Sequence, residues 1–116
     1  MSLLDTDIVI QSLREKKFKT GHVSVITLVE ILRGLDDDKR SKVKVLLEES
    51  FIVDALDNET IQAYCNLYRR LKEEGTSLPD ADLLIAATAI SRNLTLMTND
   101  KHFTRLSDLG LTLAQD

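Results

Sequence analysis

Acidic side chains are the residues of this sequence best suited to chemistry, because several of them border apolar runs. Asp5 closes one such run, Asp82 lies at the start of another, and Asp100 follows a third after Thr98 and Asn99. Carboxylates gathered in one place repel one another and need a cation to stay ionised together. Hard oxygen ligands select Mg²⁺ or Mn²⁺ over Zn²⁺, and such an ion activates water and stabilises a pentacovalent phosphate. The residue types therefore suit metal-assisted hydrolysis at phosphorus.

Asp82 carries the sharpest single signal. It opens a helical run that is apolar nearly all round from Leu83 to Ile90, which is typical of a buried helix. A carboxylate on such a helix is costly unless something pairs with it. The alternative is a first-turn acid satisfied by the helix dipole and free N–H groups, a capping role that fits Asp80 better. We therefore favour a functional role for Asp82.

The other acids are less distinctive when taken one at a time. Asp5 and Asp100 each precede a helical pattern, so either one alone has an ordinary explanation as an N-cap. Glu30 lies opposite Leu28 and Leu32 on a helical wheel, which predicts a solvated side chain. Helical side chains nevertheless lean toward the helix N-terminus, which directs Glu30 back toward the preceding strand. The residues alone leave Glu30 undecided.

The order of the elements indicates where these acids should meet. We predict strands at 2–5, 22–25, 51–53, 94–98 and 111–113, and helices at 26–34, 36–50, 60–73, 80–92 and 101–108, with 7–14 open between helix and strand. This alternation predicts an α/β fold with a parallel sheet covered on both faces. Sites in such sheets open at the carboxyl ends of the strands. Asp5 and Asp100 should therefore share one edge, where the helices bearing Asp82 and Glu30 begin.

Composition narrows the class of protein. A chain of 116 residues with 43% apolar and 29% charged residues fits one globular domain, here 1–116. The lone Cys65, the absence of a secretory signal and the absence of a long apolar run predict a cytoplasmic protein without a membrane segment. A net charge of −4 disfavours binding of nucleic acid by bulk charge, but it does not disfavour a nuclease with an acidic site. Glycine-rich phosphate loops, nucleophile elbows and Cys/His clusters are lacking.

Four segments resemble the PIN-domain ribonucleases of the VapC toxin type, namely 3–7, 23–34, 82–89 and 96–103. They fall in the order of that family and extend over nearly the whole chain. The resemblance implies a three-layer α/β/α sandwich with a central parallel sheet of four to five strands. It also implies hydrolysis of RNA phosphodiester bonds that depends on Mg²⁺ or Mn²⁺. A homodimer is expected, silenced by a cognate VapB-like antitoxin that occludes the acidic site.

The residues of the family carry over position by position. The resemblance implies catalytic metal ligands at Asp5, Glu30, Asp82 and Asp100, with Thr98, Thr6 and Asp7 in support. It raises Glu30 from undecided to a ligand. The sequence departs from the family at Asp7, where many members have Asn. Candidate RNA-binding residues are Arg33, Lys101 and His102 beside these acids and Arg14 in a basic segment, although a solvated surface explains such residues equally well.

Two other classes compete with this interpretation. A receiver-type phosphoacceptor domain has similar length and a parallel sheet, and Asp54 after the strand 51–53 would be its acceptor. A receiver also needs a Lys directly after its last core strand, whereas Lys101 follows an Asn-Asp pair, and Asp82 would be unexplained. The third class is a catalytically inactive PIN-like interaction module. The presence of all four acids argues against it.

Overall fold

Five short parallel strands form one sheet in the spatial order β3-β2-β1-β4-β5. The strands are β1 (Ser2–Leu4), β2 (His22–Ser24), β3 (Ile52–Asp54), β4 (Thr95–Met97) and β5 (Leu113–Ala114). The central strand is β1, in which Leu3 is in register with His22 of β2 and Leu96 of β4. The computed structural model describes residues 1–115, so the last residue of the predicted domain, 116, lies outside it. The predicted parallel sheet is confirmed.

Helices connect the strands. They are α1 (Thr6–Glu15), α2 (Val25–Leu32), α3 (Asp37–Ser50), α4 (Asn58–Glu73), α5 (Asp80–Ser91) and a 3₁₀ helix, Lys101–Leu109. The segment that the sequence left between helix and strand is helical, since Asp5 caps it and its residues Ile8 and Val9 are buried on one face. None of the helices within residues 1–115 has the length and apolar character needed to cross a membrane.

Two hydrophobic cores lie on opposite faces of the sheet. Leu3 packs in one core with residues of α4 and α5, and its neighbour Leu4 packs in the other with residues of α1 and α3. Successive strand residues point to opposite faces, so β1 is apolar at both positions because helices cover both faces. Each of these leucines is at most 1% exposed, which is worth about 1.5–3 kcal/mol of burial apiece. The three-layer α/β/α sandwich is thereby confirmed.

Helix α2 departs from its predicted orientation. The spacing of apolar residues in 26–34 predicts Val29 on the same face as Leu28 and Leu32, but Val29 is 54% exposed. The reason is that α2 lies between the two cores: Ile26 packs against the core beside α5, whereas Leu28 and Ile31 pack in the core beside α1 and α3. A helix that contributes to two cores has no single apolar stripe, and Val29 points away from both. Leu46 of α3, also expected to be buried, is 39% exposed.

Candidate active site

Asp5 stands directly after β1, where its carboxylate is fixed by two hydrogen bonds. Its Oδ1 accepts from the backbone N–H of Thr6 at 2.8 Å, and its Oδ2 accepts from the hydroxyl of Thr98 at 2.7 Å. Its own N–H donates to the carbonyl of Met97 at 3.0 Å, which extends the pairing of β1 with β4 by one residue. Asp5 is only 5% exposed. It is therefore both the N-cap of α1 and a rigidly held carboxylate at the sheet edge.

Asp100 reaches the same edge from β4. Its N–H donates to the Thr98 hydroxyl at 3.0 Å, so a single hydroxyl joins Asp5 to the segment that carries Asp100. Its Oδ1 accepts from the backbone N–H of His102 at 2.9 Å and lies 2.8 Å from Nδ1 of the same residue. The rule that strand ends meet at one edge thus holds for these two acids. The Thr98 hydroxyl contacts both residues, and its supporting role in catalysis stays a prediction.

Glu30 lies against α1 rather than in solvent, so the helical-wheel expectation was wrong. Its Oε1 accepts from the Thr6 hydroxyl at 2.8 Å, and the Thr6 oxygen lies 3.0 Å from the hydroxyl oxygen of Thr27. A hydroxyl has one proton, so the Thr6 hydroxyl, which donates to Glu30, must accept the hydrogen bond from the Thr27 hydroxyl. The completely buried Thr27 was missed at the sequence level. A polar residue one turn before Glu30 in an apolar helix was the signal available.

Asp82 is half-buried in the first turn of α5. Its carboxylate has no hydrogen-bond partner among residues 1–115. Burial raises its pKa most, the negative charges of Asp5, Asp100 and Glu30 raise it further, and His102 opposes them. The charges of these three carboxylates act on Asp82 because all four acids lie near one another, so we treat them as one cluster.

The pKa of Asp5 is also raised. Burial is the largest cause, and the hydrogen bonds from Thr98 and Thr6 oppose it. The negative charges of Asp7 and Asp100 then add to the increase. Asp7 itself is exposed, so it acts on the site through charge and not through contact. We call Asp5, Glu30, Asp82 and Asp100 the acidic cluster.

The acidic cluster fits a hydrated divalent cation better than an enclosed one. Within residues 1–115, no group of three or more Asp, Glu, His or Cys side chains stands ready to hold a metal ion by itself. Hydrogen bonds from Thr98, Thr6 and His102 each occupy one oxygen of three of the carboxylates. Mg²⁺ keeps several waters and binds through one or two carboxylates, which needs no closed cage. Burial and the repulsion between carboxylates both raise the pKa of Asp82, and a divalent cation would offset these two effects.

The predicted RNA-binding residues are distributed unequally around this cluster. Lys101 and His102 are exposed at its rim, directly after Asp100. Arg33 is the exposed C-cap of α2, about one turn beyond Glu30. Arg14 is exposed in the last turn of α1, so roughly 13 Å of helix separates it from Asp5. Roles in RNA binding remain predictions for all four, and only Arg14 is placed away from the acids.

Asp80 does not have the capping role that the sequence suggested. It is the first residue of α5, the N-cap is Pro79, and no side chain caps this helix. Asp80 instead accepts a hydrogen bond from the hydroxyl of Tyr64 at 2.7 Å. That bond raises the pKa of Tyr64 to about 12, with smaller effects of burial and neighbouring charge. Asp80 therefore ties α5 to α4 and leaves the N-terminus of α5 open.

Asp54 is unsuited to be a phosphoacceptor. It lies on β3, at an edge of the sheet, and is 6% exposed. Its Oδ2 lies 2.9 Å from Nδ1 of His22, and its Oδ1 lies 3.7 Å from an Nη of Arg92. A receiver's acceptor must reach a phosphodonor from solvent, whereas this carboxylate is enclosed by its own ion pairs. The structure therefore argues against the receiver alternative.

A parallel α/β sandwich with carboxylates at the strand ends defines a class of acidic-site α/β domain. Comparison with known families identifies it further: the PIN domain model matches residues 3–109, and the chain belongs to the PIN domain family. It is 37% identical over 115 residues to Ribonuclease VapC1 of Methanocaldococcus jannaschii, covering 96% of this chain and 85% of that protein. It is 35% identical over 101 residues to Ribonuclease VapC2 of Rickettsia felis, covering 82% of this chain and 75% of that protein.

A solved structure shows the same fold. The chain superposes with a TM-score of 0.81 and 25% identity on a chain of VapBC2 from Rickettsia felis bound to a DNA fragment from its promoter. The match covers 98% of this chain and 97% of that one. The family resemblance drawn from the four sequence segments is confirmed.

Proposed function

We propose that this protein is a metal-dependent endoribonuclease of the VapC toxin type, which hydrolyses RNA phosphodiester bonds at the acidic cluster with Mg²⁺ or Mn²⁺. The observation that carries the proposal is the convergence of four carboxylates at one sheet edge, where the charges of Asp5, Asp100 and Glu30 add to burial in raising the pKa of Asp82. Such an arrangement destabilises the empty protein and is useful only when a cation binds. The membership in the PIN domain family and the relatives that are ribonucleases support RNA as the substrate.

Each side chain has a distinct part in this proposal. When bound, a divalent cation supplies positive charge to the phosphate and makes its water more acidic. Asp82 and Asp5 would hold it, because burial and then the charges of neighbouring carboxylates raise the pKa of both groups, and a bound cation would stabilise their charged forms. Thr98 keeps Asp5 in one orientation, and Thr6 does the same for one oxygen of Glu30. Asp100, carried on the segment that Thr98 fixes, completes the cluster.

The same comparison supports a partner protein for this chain. A VapBC complex is among the solved structures with this fold, which supports a VapB-like antitoxin as the partner of this chain. A protein chain that covers the sheet edge would block access of RNA to the acidic cluster. A homodimer and a cytoplasmic location stay predictions.

The decisive experiment compares the purified protein with its Asp82→Asn variant on oligoribonucleotides, with Mn²⁺, with Mg²⁺ and with EDTA. We expect cleavage only with a metal ion. Loss of a metal ligand removes several kcal/mol of charge stabilisation, hence more than about a hundredfold in rate. Asp108→Asn is the matched control, because Asp108 is exposed on the 3₁₀ helix and the substitution removes the same charge. Circular dichroism checks that each variant is folded.

Full activity of Asp82→Asn would contradict the assignment of the site and would indicate a contaminating nuclease. Absence of cleavage by the folded, unchanged protein under every metal condition would instead favour the inactive interaction module.

A further inference from the structure

A cavity of about 170 Å³ opens next to the acidic cluster, between the carboxyl ends of β4 and β5 and the start of the 3₁₀ helix. Its lining includes Lys101, Thr104, Leu113, Ala114 and Gln115. Thr98 and Asp100 border it as well, so the cavity and the acidic cluster share a wall. We call it the β5 cavity. Nothing in the proposed cleavage chemistry itself uses it.

The β5 cavity combines an apolar floor with polar groups at its rim. Leu113 and Ala114 are half-buried at the end of β5, and apolar atoms of both residues line the cavity. The Thr104 hydroxyl donates to the carbonyl of Lys101 at 2.7 Å, so its oxygen faces other groups as an acceptor. Gln115 is exposed and carries an amide that both donates and accepts. A planar ring with donors and acceptors along its edge matches this arrangement.

The size of the cavity narrows the occupant. A cavity of about 170 Å³ has room for several water molecules, and therefore for a flat group such as one heterocyclic base. The cavity is open to solvent, so the sugar and phosphate of such a base would lie outside it, on the side of the shared wall formed by Thr98 and Asp100.

We propose that the β5 cavity receives the base of the nucleotide adjoining the scissile phosphate and thereby determines which RNA step is cut. This inference rests on the proposed ribonuclease function. With the phosphate at the acidic cluster, the neighbouring base enters across the wall formed by Thr98 and Asp100. Lys101 lines the cavity and directly follows Asp100, so its ammonium group would offset the acidic surroundings for a phosphate bound there.

The test fills the cavity and leaves the acidic cluster unchanged. Ala114→Leu places a larger side chain in the cavity, and Thr112→Leu is the matched control. Thr112 is exposed two residues before Ala114, on the same side of the chain, and does not line the cavity. Thr104→Val is a second variant, which removes the rim acceptor without filling the space and protects the test against misfolding of the first.

The first readout is cleavage of an oligoribonucleotide that contains all sixteen dinucleotide steps, with Mn²⁺. We expect the unchanged protein and Thr112→Leu to prefer the same steps. Ala114→Leu should cut those steps about 10-fold or more slowly, and Thr104→Val should alter the preference, since a pocket misfit is worth roughly 10–200-fold. The cavity proposal is overturned if the protein cuts RNA and both cavity variants keep its step preference.

The second readout needs neither metal nor cleavage. The four nucleoside 5′-monophosphates are titrated in EDTA while the backbone amide signals of Thr104 and Ala114 are followed by NMR. We expect shifts in the unchanged protein and in Thr112→Leu, and none in Ala114→Leu. Shifts at these amides without any RNA cleavage would overturn the proposed ribonuclease function and support a base site. The absence of shifts for all four nucleotides would mean that the β5 cavity serves another occupant, such as a protein side chain.

Discussion

Replacing Asp82 by Asn should stabilise the metal-free protein at neutral pH while it removes activity. The pKa of Asp82 is raised by burial and by the charges of Asp5, Asp100 and Glu30. A carboxyl group whose pKa is higher in the folded than in the unfolded chain contributes stability below the unfolded value and loses it as the pH rises through the folded value. At neutral pH Asp82 is therefore a net cost, which the uncharged Asn of similar shape avoids.

The expected gain is small. Asp82 remains in contact with water, which screens its interactions, so the range measured for exposed charge pairs applies, about 0.2–1 kcal/mol. The attraction of an acid to the N-terminus of α5, about 0.3–1 kcal/mol, opposes the gain. Burial and the charges of three carboxylates all raise the pKa of Asp82, and we expect them together to outweigh that attraction. The expected net gain is at most about 0.5 kcal/mol at pH 7, which is at most about 2–4 °C in Tm.

The assay is thermal unfolding in EDTA, followed by circular dichroism from pH 3.5 to pH 8. Asp82→Asn and the unchanged protein should have the same Tm at the acidic end, where Asp82 is protonated, and the difference in Tm between them (the gap) should increase as the pH rises. High salt should reduce this difference. Added Mn²⁺ should reverse the order, because the unchanged protein gains more from binding the metal.

Asp108→Asn serves again as the control for net charge. The reasoning is refuted if Asp82→Asn is the less stable protein at pH 7 in EDTA, if its gap is constant with pH, or if Asp108→Asn gives the same gain.

Two hydroxyls provide the remaining predictions. Thr98→Val removes a hydrogen bond to Asp5 and should destabilise the protein by about 1–3 kcal/mol in urea unfolding. The loss should be larger at pH 7 than at pH 4, because the pKa of Asp5 rises further without this bond. Thr98→Ser should retain most of the stability. Equal losses for Val and Ser would show that packing and not the hydroxyl matters. Thr27→Val removes the hydroxyl that donates to Thr6, and Thr6 in turn positions Glu30. The substitution should lower kcat by about 10-fold at saturating Mn²⁺, whereas Thr27→Ser should keep kcat near its original value. An unchanged kcat in Thr27→Val would separate this hydroxyl pair from the site.

The strand-end acids were predictable from sequence, and Glu30 was not, for a physical reason. Asp5 and Asp100 follow apolar strands of a parallel sheet, and chain geometry then requires them to share an edge. The position of Glu30 depends on α2 lying between two cores, which violates the assumption of one apolar face on which a helical wheel rests. Its hydrogen bond to Thr6 joins residues 24 positions apart, and no local pattern encodes such a contact.

Local patterns failed in the same way at the start of α5. The spacing of Ser77 and Asp80 is typical of a capped helix, yet Asp80 bonds to Tyr64 on a neighbouring helix. A contact between two helices, and not the local capping preference of Asp, determined the hydrogen-bond partner of Asp80.

The central position of β1 in the sheet affects when the acidic cluster can form during synthesis of the chain. Ribosomes add residues in order, and Thr98 lies 93 residues after the Asp5 carboxylate that it bonds. At about 5–20 residues per second, Asp5 waits roughly 5–20 s for that partner to be made. Until β4 and the residues directly after it have left the ribosome, β1 lacks its neighbour on one side and the acidic cluster lacks Asp100. A chain that has been made only as far as α5 therefore has an incomplete acidic cluster.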